Sequence, residues 1–428
     1  MEAVTVLMLA HAAPGFDAVG LSPGLVLYLT AAGVALATLA LRARPVTADP
    51  VEGEDRWPGD ELPGVVRAGL GGLGVAALVA TFVCAWFGSD LLGDNPVTVA
   101  VFSLFWIGGL LLSAVLGDVW RLVDPFDHLA GLLPRRSRPR TGPDLWWLPA
   151  LLLATFGWTW LAWPDGLRPR SIGWWLAAYS AVMLVGALVG GRAWVRRHEA
   201  FGVTFGLIAL LSPIDWTGPR PRVRNPLTAL GSRTLDERQG AVLAVLVGMA
   251  LFDAVSYTQW WADFLGVRSL GGYTAFNTLG LAWLVATAAI VWIAVARVAG
   301  VVAGQPTALG LRLAAPGAAL AAGYATAHEI GSLLNDLRVF ALQVTDPLSR
   351  GWDLFGTGSW RAETVVSPTV QAWLSLALLE TGVFMALAGF HRRAVVRFGA
   401  VPGTRAFWVL AVFVLAAALI GLKLMVGV

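Results

Sequence analysis

Charged residues are scarce in this chain of 428 residues, where Asp, Glu, Lys and Arg make up only 13%. Soluble domains carry about 25% charged residues, so this composition excludes an ordinary soluble fold. Cysteine is nearly absent as well. The single Cys84 lies in an apolar run, which excludes a disulfide framework and a paired-cysteine metal site. The net charge of +3 is too small to favour a nucleic-acid partner.

Apolar residues are abundant instead, at 57% of the chain, together with 21 Trp. Trp is enriched where membranes meet water, and an apolar helix of about 20 residues crosses a bilayer. The sequence therefore predicts an all-α, polytopic transmembrane helix bundle in contact with the lipid bilayer, with about ten spans (nine to eleven). The ten predicted spans are 22–41, 67–88, 97–117, 146–163, 172–190, 239–257, 276–297, 313–335, 365–389 and 405–426.

Arginines indicate the orientation. With the N-terminus outside, 23 of the 30 Lys and Arg residues fall in cytoplasmic segments, as the positive-inside rule requires. Ten spans then place both termini outside. The apolar segment 201–213 is too short to span and has arginines on both flanks, so we predict that it is re-entrant or interfacial.

The predicted domain organisation is simple. Residues 1–21 form an outer N-terminal arm that contains His11 and resembles the remnant of a leader. Residues 22–428 form a single transmembrane helical domain. Its predicted cytoplasmic loops are 42–66, 118–145 and 191–238, and its predicted ordered outer loop is 337–364.

Ionisable residues interrupt the span 313–335. At about 1.5 Å per residue, His328 lies roughly 24 Å above the inner end of this span, in the outer third of the membrane. Glu329 and Asp336 lie at that level or higher, and Asp253 of the span 239–257 reaches a similar height. Because charged groups inside a membrane usually face the bundle interior, these residues are candidates for one polar site.

Other readings of the same residues stay open. A histidine in a membrane helix is often only a hydrogen-bonding contact between helices. The stretch HEIGS (328–332) does not match the zinc-protease pattern H-E-x-x-H, because Ser332 stands where the second histidine would be. Glu380 is predicted near mid-membrane and Lys423 near the outer face. His128, His198 and His391 are predicted to be inner surface residues.

The predicted outer loop and the residues after it contain two short sequence segments that are similar to those of a known protein family. DPLSRGWDLFGT (346–357), followed by VVSPT (365–369), resembles bacterial multi-pass membrane proteins of the fenitrothion hydrolase type. The resemblance implies a phosphotriester hydrolase in the bacterial plasma membrane, acting on an apolar small molecule. Such chemistry usually relies on a divalent metal ion such as Zn or Cu. The residues to which it would assign catalysis are His328, Glu329, Asp253, Asp336, Asp353 and Arg350.

Two alternatives belong to other functional classes. Intramembrane Asp, Glu and His also suit a proton- or metal-coupled transporter. A copper-handling protein is the third possibility. If processing made His11 the N-terminal residue, its amine and imidazole would bind a metal together with His328, because imidazole suits copper as well as zinc. The metal ligands expected across these hypotheses are His328, Glu329, Asp253 and His11.

Overall fold

The computed structural model of the chain describes residues 22–43, 46, 60, 62–133, 143–216, 220–305, 310–360 and 364–426. These residues are overwhelmingly helical, which confirms the predicted all-α class. The first helices are α1 (Pro23–Arg42), α2 (Gly64–Phe87), a π-helical segment (Val99–Ile107), α3 (Gly108–Leu116), α4 (Trp120–Val123), α5 (Pro125–Leu132), α6 (Leu148–Leu161), α7 (Pro169–His198) and α8 (Ala200–Ile208).

A 3-10 turn (Ala209–Leu211) and one short antiparallel pair, β1 (Ile214–Asp215) with β2 (Arg222–Val223), precede the second half of the chain. The remaining helices are α9 (Pro226–Ser232), α10 (Glu237–Ser256), α11 (Gln259–Leu265), α12 (Leu270–Val302), α13 (Gly310–Leu313), α14 (Gly317–Gln343), α15 (Pro368–Phe398) and α16 (Ala400–Val426).

Eight helical stretches in the described chain are long and apolar enough to cross a membrane. They are α1, α2, the π-helical segment with α3, α7 with α8, α10, α12, α15 and α16. The protein is therefore an integral membrane protein with several spans. The other two predicted spans correspond to α6, which has 14 residues, and to α14, which carries the polar stretch. The count of ten spans and the outer position of both termini stay predictions.

Helix α14 lies between two hydrophobic cores. One core gathers buried residues of the π-helical segment, α6, α7, α8 and α10, and the other gathers residues of α1, α12, α15 and α16. Ala318 and Ala322 of α14 belong to the first core, whereas Ala319 and Ala327 belong to the second. Successive residues of a helix point in different directions, so α14 contributes to both cores. Its polar residues therefore lie at the seam between two packed halves.

The segment 201–213 forms α8 and the 3-10 turn, and it is packed inside the bundle. The carboxylate of Glu199 caps α8 by accepting hydrogen bonds from the backbone N–H groups of Phe201 and Gly202. Nearly every residue of α8 is buried. An interfacial helix usually leaves one face exposed, so this burial disfavours the interfacial interpretation, and the re-entrant interpretation stays a prediction.

Two predicted loop boundaries also change. Helix α7 continues to His198, through a kink at Gly191 (φ 68°), so the segment predicted as cytoplasmic loop 191–238 begins with helix and includes α8 and α9. Similarly, α14 continues to Gln343, into the predicted outer loop 337–364. Apolar content alone did not reveal these helical extensions, because polar residues are tolerated in a helix that emerges from the membrane.

Candidate functional site

Three residues that the sequence singled out lie together in the structure. The Nε2 atom of His328 is 3.5 Å from a carboxylate oxygen of Asp253 and 3.9 Å from a carboxylate oxygen of Glu329. One ligand atom from each of the three residues lies within 4.8 Å of the other two. All three side chains are almost completely buried, with exposures of 5 to 7%. The cluster therefore concentrates two acidic groups and an imidazole away from bulk solvent.

Two helices position the cluster. Asp253 occupies the last turn of α10, a helix that starts with a reciprocal capping box between Asp236 and Gln239. His328 and Glu329 are consecutive on α14, so their side chains leave the helix about 100° apart. Both reach Asp253 because α14 packs directly against α10. The cluster belongs to helices rather than loops, and the packed cores hold it in place.

The cluster borders a small cavity. Its walls include Trp106 and Ile107 of the π-helical segment, Trp160 of α6 and Met249 of α10. The volume open to the centre of a water molecule is ≈ 10 Å³. A volume of about 10–15 Å³ by this measure holds one water molecule. The cavity therefore fits a single water molecule or an ion, and it is much too small for a phosphotriester in this conformation.

Tyr324 adds a fourth polar group. Its ring stacks on the imidazole of His328, with ring centres 6.0 Å apart and planes 9° from parallel. Its side chain lines the same cavity. The hydroxyl of Tyr324 is buried and has no hydrogen-bond partner within the described parts of the chain. A buried hydroxyl without a partner is costly, so this group is suited to hydrogen-bond a species held in the cavity.

The donor set fits a divalent metal ion. Zinc binds imidazole nitrogen and carboxylate oxygen at about 2.0–2.2 Å, which places neighbouring ligand atoms of a tetrahedron about 3.3 Å apart. The observed separations of 3.5 Å and 3.9 Å are longer than that value by about 0.2 to 0.6 Å, and all three ligand atoms lie within 4.8 Å of one another. Three protein ligands leave a further position for water, as catalytic zinc sites do. The same three groups also suit a proton shared between an imidazole and two carboxylates.

Asp336 lies outside the cluster, farther along α14. Its carboxylate accepts a hydrogen bond from the hydroxyl of Ser103 in the π-helical segment. The neighbouring Asn335 side chain accepts a hydrogen bond of 3.0 Å from the backbone N–H of Val365, just before α15 begins. Asp336 therefore sits at the level where α15 starts, between the cluster and the predicted outer surface.

Asp353 and Arg350, the two loop residues predicted to be catalytic, do not belong to the cluster. Asp353 is exposed and accepts hydrogen bonds from the Thr345 hydroxyl at 2.8 Å and the Gly358 N–H at 3.1 Å. These bonds lower the pKa of the Asp353 carboxyl, with the Thr345 hydroxyl as the main cause. Arg350 is exposed, and its backbone N–H donates to Asp346. Neither residue lines the cavity at His328 or belongs to the cluster.

Three further polar residues were considered in the sequence analysis, namely Glu380, Lys423 and His11. Glu380 accepts a hydrogen bond of 2.5 Å from the Thr30 hydroxyl and thereby joins α15 to α1. Lys423 is exposed and does not line the cavity. His11 lies outside the described residues, so its proposed role as a metal ligand stays a prediction.

The prediction that His198 and His391 are surface residues is wrong. His198 is only 1% exposed and His391 only 4% exposed. The imidazole of His198 stacks on Trp194 and accepts the backbone N–H of Leu145 at 3.0 Å. The ring of His391 packs against Phe407. Tertiary packing buries both residues. The surface prediction had relied on the arginines that lie near them in the sequence. His128 is half-buried.

Sequence reasoning did not identify the aromatic walls or the π-helical segment. Trp106, Trp160 and Ser103 lie in apolar runs that look like ordinary spans. A π-helix is defined by its backbone hydrogen bonds, and no residue pattern in 99–107 distinguishes it from an α-helix. The helical spacing of Tyr324 and His328, four residues apart, did predict that these two residues share one face of the helix.

Comparison with protein-family models, with curated proteins and with solved structures gave no match to this chain. The resemblance of the outer loop to the fenitrothion hydrolase type therefore stays a prediction.

Proposed function

We propose that this integral membrane protein binds one divalent metal ion between Asp253, His328 and Glu329. The observation that carries the proposal is the convergence of three buried ligand atoms within 4.8 Å at a cavity with room for one water or ion. Burying two carboxylates is expensive unless a positive charge accompanies them. A divalent cation supplies that charge, and the hydroxyl of Tyr324 supports a water molecule beside it.

Metal binding to the purified protein tests the proposal. We expect one zinc ion per chain by elemental analysis and a clear increase in melting temperature with added zinc. Ligand binding at about 100 times Kd stabilises a folded protein by about 2.7 kcal/mol. Asp253→Asn and Glu329→Gln each remove a charged ligand while keeping its size. We expect both variants to weaken zinc binding by about tenfold or more.

Glu380→Gln is the matched control, because it also replaces a carboxylate within a span with an amide but lies outside the cluster. Zinc affinity should stay within about twofold of the unaltered protein, since Glu380 contacts Thr30 instead. The proposal fails if the unaltered protein binds no divalent metal, or if Glu380→Gln weakens binding as much as Glu329→Gln does.

Metal-assisted hydrolysis is the use of the site that the resemblance supports. A bound divalent ion would polarise a phosphoryl oxygen and lower the pKa of a bound water molecule. His328, Asp253 and Glu329 would hold the ion, and Tyr324 would orient the water. A phosphotriester does not fit the cavity as it stands. Hydrolysis therefore requires the wall formed by Trp106 and Trp160 to move.

A metal- or proton-coupled carrier is the second candidate. The predicted height of the cluster, in the outer third of the membrane, weighs against it, because carriers hold their substrates near the midplane. The location of the cluster between two packed cores favours it. The cluster lies on helices at the seam between two packed cores, and carriers bind their ions between two moving halves. Turnover of a chromogenic phosphotriester that His328→Ala abolishes supports the hydrolase. Metal-coupled uptake into proteoliposomes, with no triester turnover, supports the carrier.

A further inference from the structure

One face of α14 connects the cluster to the level at which α15 begins. Glu329, Ser332 and Asp336 are spaced by three and four residues, so their side chains project from the same face of the helix. The step from Glu329 to Asp336 covers seven residues, or about 10 Å along the helix axis. Three polar side chains on one face of a membrane helix form a stripe that avoids contact with lipid tails only when another element covers it.

The π-helical segment provides that cover. Ser103 donates a hydrogen bond to Asp336 at the far end of the stripe. Trp106 and Ile107, three and four residues later, line the cavity at the near end. The segment therefore flanks the stripe from Asp336 to the cavity. A π-helix of nine residues is unusual, and such segments frequently occur at functional sites.

The stripe is neither fully buried nor fully exposed. Ser332 and Asp336 are half-buried, whereas Glu329 is only 5% exposed. Ser332 and Asp336 are therefore less buried than Glu329. Asn335, next to Asp336, binds the backbone just before α15, which places this end of the stripe at the predicted outer boundary.

We propose that Glu329, Ser332, Asp336 and Ser103 form the route by which a cation reaches the cluster from the end of the bundle where α15 begins. The proposal rests on the proposed cation-binding function of the cluster. Asp336 is then an attracting residue at the mouth of the route rather than a catalytic residue. A carboxylate at the start of such a route would raise the local concentration of cations. Ser103 orients that carboxylate, and Ser332 offers a hydroxyl between the mouth and the cluster.

Cysteine accessibility tests the route independently of metal affinity. Cys84 is the only natural cysteine, so Cys84→Ser gives a thiol-free background. In nanodiscs, we would measure the rate at which Ag⁺ blocks a thiol introduced by Ser332→Cys. The matched position is Leu334→Cys, which has nearly the same height on α14 but projects about 200° away. We expect the Ser332→Cys thiol to react about tenfold faster or more.

A comparison of a charged with a neutral thiol reagent then tests whether Asp336 lies at the entrance of the route. Adding Asp336→Asn to the Ser332→Cys protein should slow the reaction with Ag⁺ by about tenfold and leave the reaction with neutral iodoacetamide unchanged. Asp353→Asn, which removes an exposed carboxylate of the outer loop, should leave both rates unchanged. Equal rates at positions 332 and 334 would overturn the proposal, and so would a rate with Ag⁺ that is insensitive to Asp336→Asn.

The two proposals can fail separately. If zinc does not bind the unaltered protein but the Ag⁺ results are as expected, the route stands and the metal-binding function falls. If zinc binds and is weakened by Glu329→Gln, but the Ser332→Cys thiol is no more reactive than its control, the metal site stands and this route is wrong.

Discussion

At the residue scale, the membrane environment makes polar side chains informative. Asp253, His328 and Glu329 were singled out because charge inside a span is expensive, and the structure brings these three together. Sequence alone could give their approximate height, since helices rise by a constant step. It could not give the distances between α10 and α14, which depend on how the two cores pack.

The argument from the cost of burying charge in a membrane does not extend to residues outside the spans. Asp353 and Arg350 were predicted as catalytic, yet they are exposed in the loop and do not line the cavity. Exposed charge costs little, so its presence in a loop carries less information than a charge in a span. The sequence positions of Asp353 and Arg350 therefore did not indicate whether their side chains belong to a site.

A prediction about pH follows for Asp353. Its pKa in the folded loop is lowered, mainly because the Thr345 hydroxyl hydrogen-bonds the carboxylate. A lowered pKa means that the stabilisation is fully present above the ordinary value of 3.8 and is lost as pH falls through the lower folded value. The loop 344–360 should therefore become more accessible to pepsin as pH falls from about 4.5 to about 2.

Asp353→Asn supplies the comparison for that measurement. The amide cannot be protonated in this range, so pepsin cleavage of the variant, corrected for the activity of the protease at each pH, should show a flatter pH dependence. Identical pH profiles for the two proteins would show that Asp353 does not hold the loop together.

At the scale of elements, the predicted spans largely correspond to helices, whereas the short helices were harder to predict. Helix α8 was recognised as too short to span, but its burial inside the bundle was not. The distinguishing group is Glu199, whose carboxylate accepts hydrogen bonds from the Trp120 indole at 2.9 Å, the Tyr179 hydroxyl and two backbone N–H groups. Trp120 and Tyr179 come from distant parts of the chain, so local sequence does not reveal this contact.

Removing the Glu199 carboxylate should destabilise the end of the bundle that is predicted to face the cytoplasm. Glu199→Ala leaves buried donors of Trp120 and Tyr179 without this acceptor, and each unsatisfied group costs about 1–3 kcal/mol. We expect a large decrease in melting temperature, measured by intrinsic fluorescence in detergent. Glu199→Gln keeps one acceptor oxygen and should give an intermediate value.

Glu237→Ala is the control for this measurement, since Glu237 is exposed in the first turn of α10. The change should lower the melting temperature only slightly. If Glu199→Ala and Glu237→Ala shift the melting temperature equally, the buried carboxylate is not what secures α8.

At the scale of the whole molecule, composition was sufficient for the class and insufficient for the arrangement. Scarce charge and long apolar runs predicted a helical membrane protein. They did not predict that α14, which covers most of the predicted span 313–335, would lie between two apolar cores. This helix is more polar than the eight helical stretches that are apolar enough to cross a membrane. Packing shields its polar face, so a helix can tolerate His328 and Glu329 without exposing them to lipid.

This arrangement also relates the cluster to the proposed function. The three residues of the cluster come from α10 and α14, while the cavity wall includes residues of the π-helical segment and α6. Because α10, α6 and the π-helical segment belong to the same core, a movement of α14 relative to that core would change the cavity and the access to it together. Either a hydrolase or a carrier would depend on such a movement, because the closed cavity holds no more than one water or ion.

X-ray absorption at the zinc edge of the zinc-loaded protein tests the central claim most directly. We predict a first shell of nitrogen and oxygen at about 2.0–2.2 Å, with one imidazole and no sulfur. The imidazole signal should disappear in His328→Ala, and Glu380→Gln should leave the spectrum unchanged. A protein that holds no zinc, or a spectrum with several imidazoles or with sulfur that His328→Ala does not alter, would contradict a metal site at Asp253, His328 and Glu329.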